Sequence, residues 1–175
     1  MEILEKVFYR DDATDFSDKN VLSKLLDEHK VLLDYYRKNR EYYLGKQDVF
    51  ELQTADGKPN NKICVNFIKY ITDMECGYFA GQRWKYNFED EKLGEIFASI
   101  RDNNELGNID FNHAKNCSIY GHSFELQFID QLGEYRMINL LPENVIMVYG
   151  DTVERSRIAA IYYANKLTKD NKVIQ

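Results

Sequence analysis

At His122 the hydropathy of this chain changes period. Before it, apolar residues recur at helical spacing. From 122 to 130 they alternate, with Phe124, Leu126 and Phe128 on one side and Ser123, Glu125 and Gln127 on the other. Gln131-Leu132-Gly133-Glu134 reads as a hairpin turn, and residues 135–141 as the returning strand. Residues 145–149 form a third run, Gly150-Asp151 a turn, and 157–164 a fourth run. Helices first and neighbouring strands later define an α+β fold, N-terminal helices followed by a mainly antiparallel sheet. Residues 172–175 begin a further strand pattern and stop, so the chain is expected to be a truncated piece.

The helical part divides readily. Residues 1–16 read as an N-terminal arm, with Ile3, Leu4, Val7, Phe8 and Tyr9 as a sticky face before Asp11, Asp12 and Asp15. The domain proper is expected over 17–175. A long helix is predicted for 18–44, with Ser17 as N-cap and Gly45 as the stop. Val21, Leu22, Leu25, Leu26, Leu32, Leu33, Tyr36 and Tyr43 share one arc of it, and Asp27, Lys30, Asp34, Lys38 and Glu41 lie opposite. Val31, Tyr35 and Tyr42 form a second, narrower stripe, read either as a subunit contact or as scattered surface residues. Residues 46–60 form a connector with turn chemistry at 53–60 and a short strand at Val49, Phe50 and Leu52. Further helices are predicted for 89–104, with Leu93, Ile96, Phe97 and Ile100 inward, and for 110–120, closed by Gly121.

The most apolar long stretch is NKICVNFIKYITDMECGYFAG, residues 61–81. A bilayer span needs ~20 predominantly apolar residues. Here Lys62, Asn66, Lys69 and Asp73 occupy one polar arc, so an amphipathic, half-buried helix ended by Gly81 is expected. Its apolar half would hold Ile63, Phe67, Tyr70, Ile71, Met74 and Tyr78, with Cys64, Ile68 and Phe79 completing it.

Bulk properties exclude some classes. A chain of 175 residues suits one domain and can bury roughly 70% of its unfolded surface without staples. The net charge of −6 disfavours nonspecific DNA gripping by the whole surface. Thirteen Tyr and ten Phe serve cores and interfaces alike. Cys64, Cys76 and Cys117 show no CxxC spacing and read as reduced thiols. The N-terminus lacks the charged and apolar regions of a signal peptide.

Candidate chemistry is thin. His29 lies in the apolar arc of the first helix, where a packed, hydrogen-bonded histidine is the simpler account. His113 and His122 have no ligands at metal spacing; Cys117, one turn after His113, makes at most two. Glu75 falls toward the apolar side of its helix and calls for a partner, most simply a basic residue nearby or on a neighbour. Glu89-Asp90-Glu91 is better read as first-turn charge than as an acid pair. Arg37-Lys38-Asn39-Arg40 beside Tyr42 and Tyr43 could touch a nucleic-acid backbone, but Arg40 points to the main apolar face, which favours a packed helix end. No nucleophile elbow, phosphate loop or dinucleotide glycine motif occurs, and neither cofactor nor metal is expected.

Four segments together carry a resemblance. They are YYLGK at 42–46, NNKICVNFIKYITDMECGYFAG at 60–81, CSIYGHSFELQFIDQLGEYRMINLLPENVIMVYGD at 117–151, and AAIYYA at 159–164. In this order and spacing the chain resembles the portal proteins of tailed, siphovirus-type bacteriophages over residues 20–165. The resemblance implies a structural, non-enzymatic subunit of a dodecameric head-tail connector ring at one capsid vertex of the virion. DNA would pass through that ring during packaging and ejection. It also implies capsid, terminase and head-completion proteins as partners, besides further copies of the chain. The segment would be the wing portion of a portal, truncated or from a prophage remnant, without stem, clip or crown. In that reading Leu25, Leu32, Phe67, Ile71 and Phe97 hold the core, and Tyr35, Tyr42 and Glu75 are the possible subunit contacts.

Two rivals remain open at this stage. One is a small cytoplasmic α+β enzyme or ligand-binding domain using His29, Glu75 or His113, which requires those three to converge on one pocket. The other is a peptide-binding adaptor that captures a partner strand along residues 172–175.

Overall fold

The computed structural model describes residues 8–53 and 57–164, together with the backbone of 166–167 and 173–174. The elements run β1 (Phe8–Arg10), α1 (Lys19–Tyr43), α2 (Phe67–Ala80), α3 (Glu91–Asn103) and α4 (Leu106–Tyr120). They continue with β2 (Phe124–Ile129), β3 (Tyr135–Leu140), β4 (Val145–Gly150), β5 (Arg157–Tyr162), β6 (Lys166–Leu167) and β7 (Val173–Ile174). The fold is α+β with its long helices in the first two thirds, as the change of period predicts. The strands, however, divide among separate small sheets. Two compact units emerge, Met1–Tyr36 with Leu141–Gln175 and Arg37–Leu140, so the boundary falls inside α1.

In the first unit β4 is the central strand. It pairs antiparallel with β5 and parallel with β1, with Phe8 opposite Val148 and Arg10 opposite Gly150. Val145, Ile146 and Val148 are buried, as a strand paired on both edges requires. The arm expected over residues 1–16 is therefore a strand at Phe8–Arg10; Ile3, Leu4 and Val7 lie outside the described residues. Arg10 Nη2 donates to both carboxylate oxygens of Glu28, at 3.0 and 3.1 Å, which ties β1 to α1. On α1, Leu25, His29, Leu32 and Tyr36 form the buried stripe. Asp18 caps the helix by accepting from the Asn20 N–H at 2.9 Å, so the cap is Asp18 and not Ser17. Val173–Ile174, expected as an unpaired start of a strand, pairs antiparallel with Lys166–Leu167; residues 172 and 175 lie outside the described residues.

In the second unit the end of α1 is closed by Gly45. The Gly45 and Lys46 N–H groups donate to the Tyr42 and Glu41 carbonyls at 3.0 and 2.8 Å, and Gly45 has φ +86°. That is the paired-bond stop that needs a left-handed residue. Asp48–Phe50 is a single 3₁₀ turn rather than the expected strand, and the connector's 54–56 lies outside the described residues. β2 and β3 form the predicted hairpin, Phe124 opposite Leu140 and Ile129 opposite Tyr135. Its turn is held by Asp130, whose Oδ1 accepts from the Leu132 and Glu134 N–H groups at 2.9 and 3.0 Å. The Asn104 side chain grips β3 like a short strand. It donates to the Tyr135 carbonyl at 2.9 Å and accepts from the Met137 N–H at 2.8 Å.

Candidate functional site

The surface with most chemistry to explain is α2. Asn66 starts the helix twice over. Its Oδ1 accepts from the Lys69 N–H at 3.0 Å, and its Nδ2 donates to the Tyr43 carbonyl at 2.9 Å. One turn on, Tyr43 Oη donates to Asp73 Oδ1 at 2.7 Å, while Lys69 Nζ donates to Asp73 Oδ2 at 2.6 Å and to Tyr43 Oη at 3.2 Å. Lys69 and Lys115 sit over the Tyr43 ring, 4.8 and 5.0 Å from its centroid. Lys69 first and Tyr43 second hold the Asp73 carboxyl below the usual carboxylate range. The helix starts at Phe67 rather than at 61 as expected, so Lys62 lies outside it, while Asn66, Lys69 and Asp73 of the polar arc fasten α2 to the end of α1.

The side of α2 packed inward is a stripe of small residues, Thr72, Cys76 and Ala80, at four-residue steps. Such a stripe lets two helix backbones approach closely, and α4 packs here, its Ser118 hydroxyl donating to Thr72 Oγ1 at 3.3 Å. The apolar half expected inside is turned outward. Phe67, Tyr70, Ile71, Met74 and Tyr78 are 63, 64, 48, 55 and 95% exposed, and Ile63, Ile68 and Phe79 are exposed with them. Of the proposed core residues, Leu25 and Leu32 are buried, Phe97 is half-buried, and Phe67 and Ile71 are exposed. On α3, Leu93 and Ile96, expected inward, also face out, whereas Phe97 packs against Tyr86 and Phe88 at 4.6 and 5.1 Å between centroids. Arg83, Trp84, Tyr86, Arg101 and Asp110 line a neighbouring cleft of about 360 Å³. Burial pushes the Asp110 carboxyl up.

The residues expected at a subunit contact fall in different settings. Tyr35, in the first unit, is half-buried beside Tyr36, centroids 6.3 Å apart. Tyr36 is buried, and its phenol is pushed up to about 12 chiefly by that burial. Tyr42, in the second unit, donates its hydroxyl to Asp48 Oδ2 at 2.6 Å, an oxygen that also accepts from Lys38 Nζ at 3.3 Å. Lys38 of the basic run is thereby occupied within the chain. Glu75 is exposed rather than buried, and its described partner is the Ser118 hydroxyl at 3.2 Å rather than a basic residue.

The histidines have structural partners. His29 is buried, its Nδ1 2.7 Å from Tyr163 Oη and its ring edge-on to Phe8 and Tyr36. His113 joins α4 to β2, with Nδ1 2.7 Å from Ser123 Oγ and Nε2 3.0 Å from Glu125 Oε2. Burial lowers His122. Within the second unit Glu75 and His113 make different described contacts, Glu75 with Ser118 and His113 with Ser123 and Glu125. Asp90 caps α3 by accepting from the Lys92 N–H at 2.9 Å, the first-turn role expected for the acidic run. Among the described residues no group of three or more His, Cys, Asp or Glu is placed to hold a metal ion. No helix among them is long and apolar enough to cross a membrane.

The large apolar residues that α2 turns outward, Phe67, Tyr70, Ile71, Met74 and Tyr78, form a candidate packing surface distinct from the expected contact residues Tyr35, Tyr42 and Glu75. The signal was present as Thr72-x3-Cys76-x3-Ala80, small residues that mark the inward side of α2.

Comparison with known proteins fits such a surface. The family described as phage portal protein, SPP1 Gp6-like, matches residues 22–175. The portal protein of Bacillus phage SPP1 is 29% identical over 169 residues, covering 85% of this chain. The chain spans 31% of that relative's length. With its family match reaching across α1 to β7, this chain belongs to the SPP1 Gp6-like phage portal proteins.

Proposed function

We propose that this chain is a structural subunit of a phage head-tail connector ring, the wing portion of a portal through which DNA is packaged and ejected. The observation that carries the reading is the family match over residues 22–175. The chain's features are those of an assembly part: an aromatic-rich, outward-facing helix and histidines bound into structural contacts. Its place is a capsid vertex of the virion. Its partners are further copies of itself, with the capsid shell, the packaging motor and head-completion proteins around the ring. DNA passes through the ring without a direct grip by this acidic segment, whose net charge is −6. Tyr35, Tyr42 and Glu75 are the proposed contact residues. For Tyr42 the ring makes the contact, since the hydroxyl is engaged by Asp48.

The test is negative-stain electron microscopy of the purified chain over increasing concentration. Closed rings with a central opening are expected. A chain that stays monomeric throughout, and that does not enter rings of a longer portal protein, overturns the proposal.

A further inference from the structure

We infer that the outward side of α2 is a self-association seam, occupied by a helix of a second copy of this chain. This rests on the subunit reading above and names the surface through which subunits meet.

Phe67, Ile71, Met74 and Tyr78 follow one another at steps of four, three and four residues along α2. That is the spacing of a knobs-into-holes seam, in which each large side chain enters a gap on a facing helix. All four point away from the chain's own packing. With Tyr70 they expose roughly 600 Å² of side chain, taking ~200 Å² for each large residue. One partner in a standard-size interface buries about 800 Å². The strip also lies at the upper end of the largest apolar patch found on monomers, about 300–600 Å². It is large enough to hold a stable partner and costly to leave in water.

The charge pattern selects the kind of partner. No Asp, Glu, Lys, Arg or His lies on the seam. Lys69 and Asp73 lie to one side and are paired with each other and with Tyr43, while Glu75 flanks the other side and contacts Ser118. No charge on the strip would grip a phosphate backbone or a charged peptide. The complement it needs is an apolar helix, and a second copy supplies one in α3, which turns Leu93 and Ile96 outward, so that the contact is heterologous as a closed ring requires.

Gly77 supplies a separate observation. A glycine inside a helix costs about 1 kcal/mol relative to alanine. A Cβ added at Gly77 would meet nothing within 4 Å. Among the described residues no contact therefore explains the missing side chain. A facing helix approaching at Gly77, beside Tyr78, does explain it, because the gap there receives a large side chain from the partner.

The experiment uses the full chain and three proteins: wild type, Ile71→Asp and Gly77→Ala. Mass is measured by light scattering and sedimentation across a concentration series, and folding by circular dichroism. Wild type is expected to form an oligomer of definite size. Ile71→Asp keeps the native spectrum, because Ile71 is half exposed in the single chain, and raises Kd at least ~30-fold, the loss for a central interface side chain. Gly77→Ala melts at a higher temperature when measured in the Ile71→Asp background, yet weakens association at least ~5-fold, as overfilling a packed gap does. These opposite signs would not arise from a merely structural role. An oligomer indifferent to both substitutions overturns the inference and leaves the subunit reading standing, with its interface elsewhere. A wild-type monomer that enters rings of a longer portal protein also overturns the inference alone. A monomer that enters no ring takes both down.

Discussion

Tyr43 is buried to the ring while its hydroxyl reaches a charged group, so one residue joins two helices by packing and by a hydrogen bond. Tyr43→Phe keeps the packing and removes the donor to Asp73. A loss of about 1 kcal/mol is expected in urea unfolding, at the low end for a charged acceptor because Asp73 is partly exposed. The Asp73 carboxyl is held low in the folded state, so its contribution is fully present above the ordinary value of 3.8. It is lost as pH falls through the depressed folded value. Asp73→Asn should therefore flatten the acid limb of stability below about pH 4, read from melting temperature against pH. Thiol reactivity sorts the cysteines in the same way. Cys64 and Cys117 are exposed and Cys76 is buried, its thiol pushed up by that burial. Titration with a disulfide reagent should give two fast thiols and a third only on unfolding.

At the scale of elements, helix C-terminal ends and turns were largely legible, whereas the starts of α2 (Phe67, expected at 61) and α4 (Leu106, expected at 110) and the orientation of α2 were not. The stop at Gly45 followed from a glycine placed where the chain must turn left-handed. Gly45→Ala should cost about 1–2 kcal/mol, since alanine is strained there and its Cβ would lie 3.2 Å from the Asn66 amide. The hairpin turn at Gly133 was readable for the same reason. In α2, by contrast, a helical wheel states which residues share a side, but not which side meets the protein. Large apolar residues were assigned inward by hydrophobicity, whereas the chain buries Thr72, Cys76 and Ala80, which permit close backbone approach. The candidate surface was therefore visible as a group and given the wrong direction. Leu25→Ala should cost about 3 kcal/mol by leaving a cavity, while Ile71→Ala should change single-chain stability by less than about 0.5 kcal/mol. Glu75 shows a related limit: its partner, Ser118, is distant in sequence, and no local pattern foretells it.

At the scale of the molecule, the fold class followed from the change of period at His122, but the partition of the strands did not. Which strands pair depends on long-range contacts, and the parallel match of Phe8 with Val148 leaves no local signature. The first unit is built from both ends of the chain, and the second is the continuous run Arg37–Leu140. A fragment of residues 37–140 should retain helical circular dichroism and melt cooperatively; a broad, non-cooperative melt would show that it depends on the rest. The same arrangement dictates an order of events on the ribosome. The inserted unit can settle while the chain is still emerging, whereas β1, made before it, must wait for β4 before it has an edge to join. Residues synthesised ahead of the inserted unit are thus among the last to find their place, and slowing translation near residue 145 would prolong the interval in which β1 has no native partner.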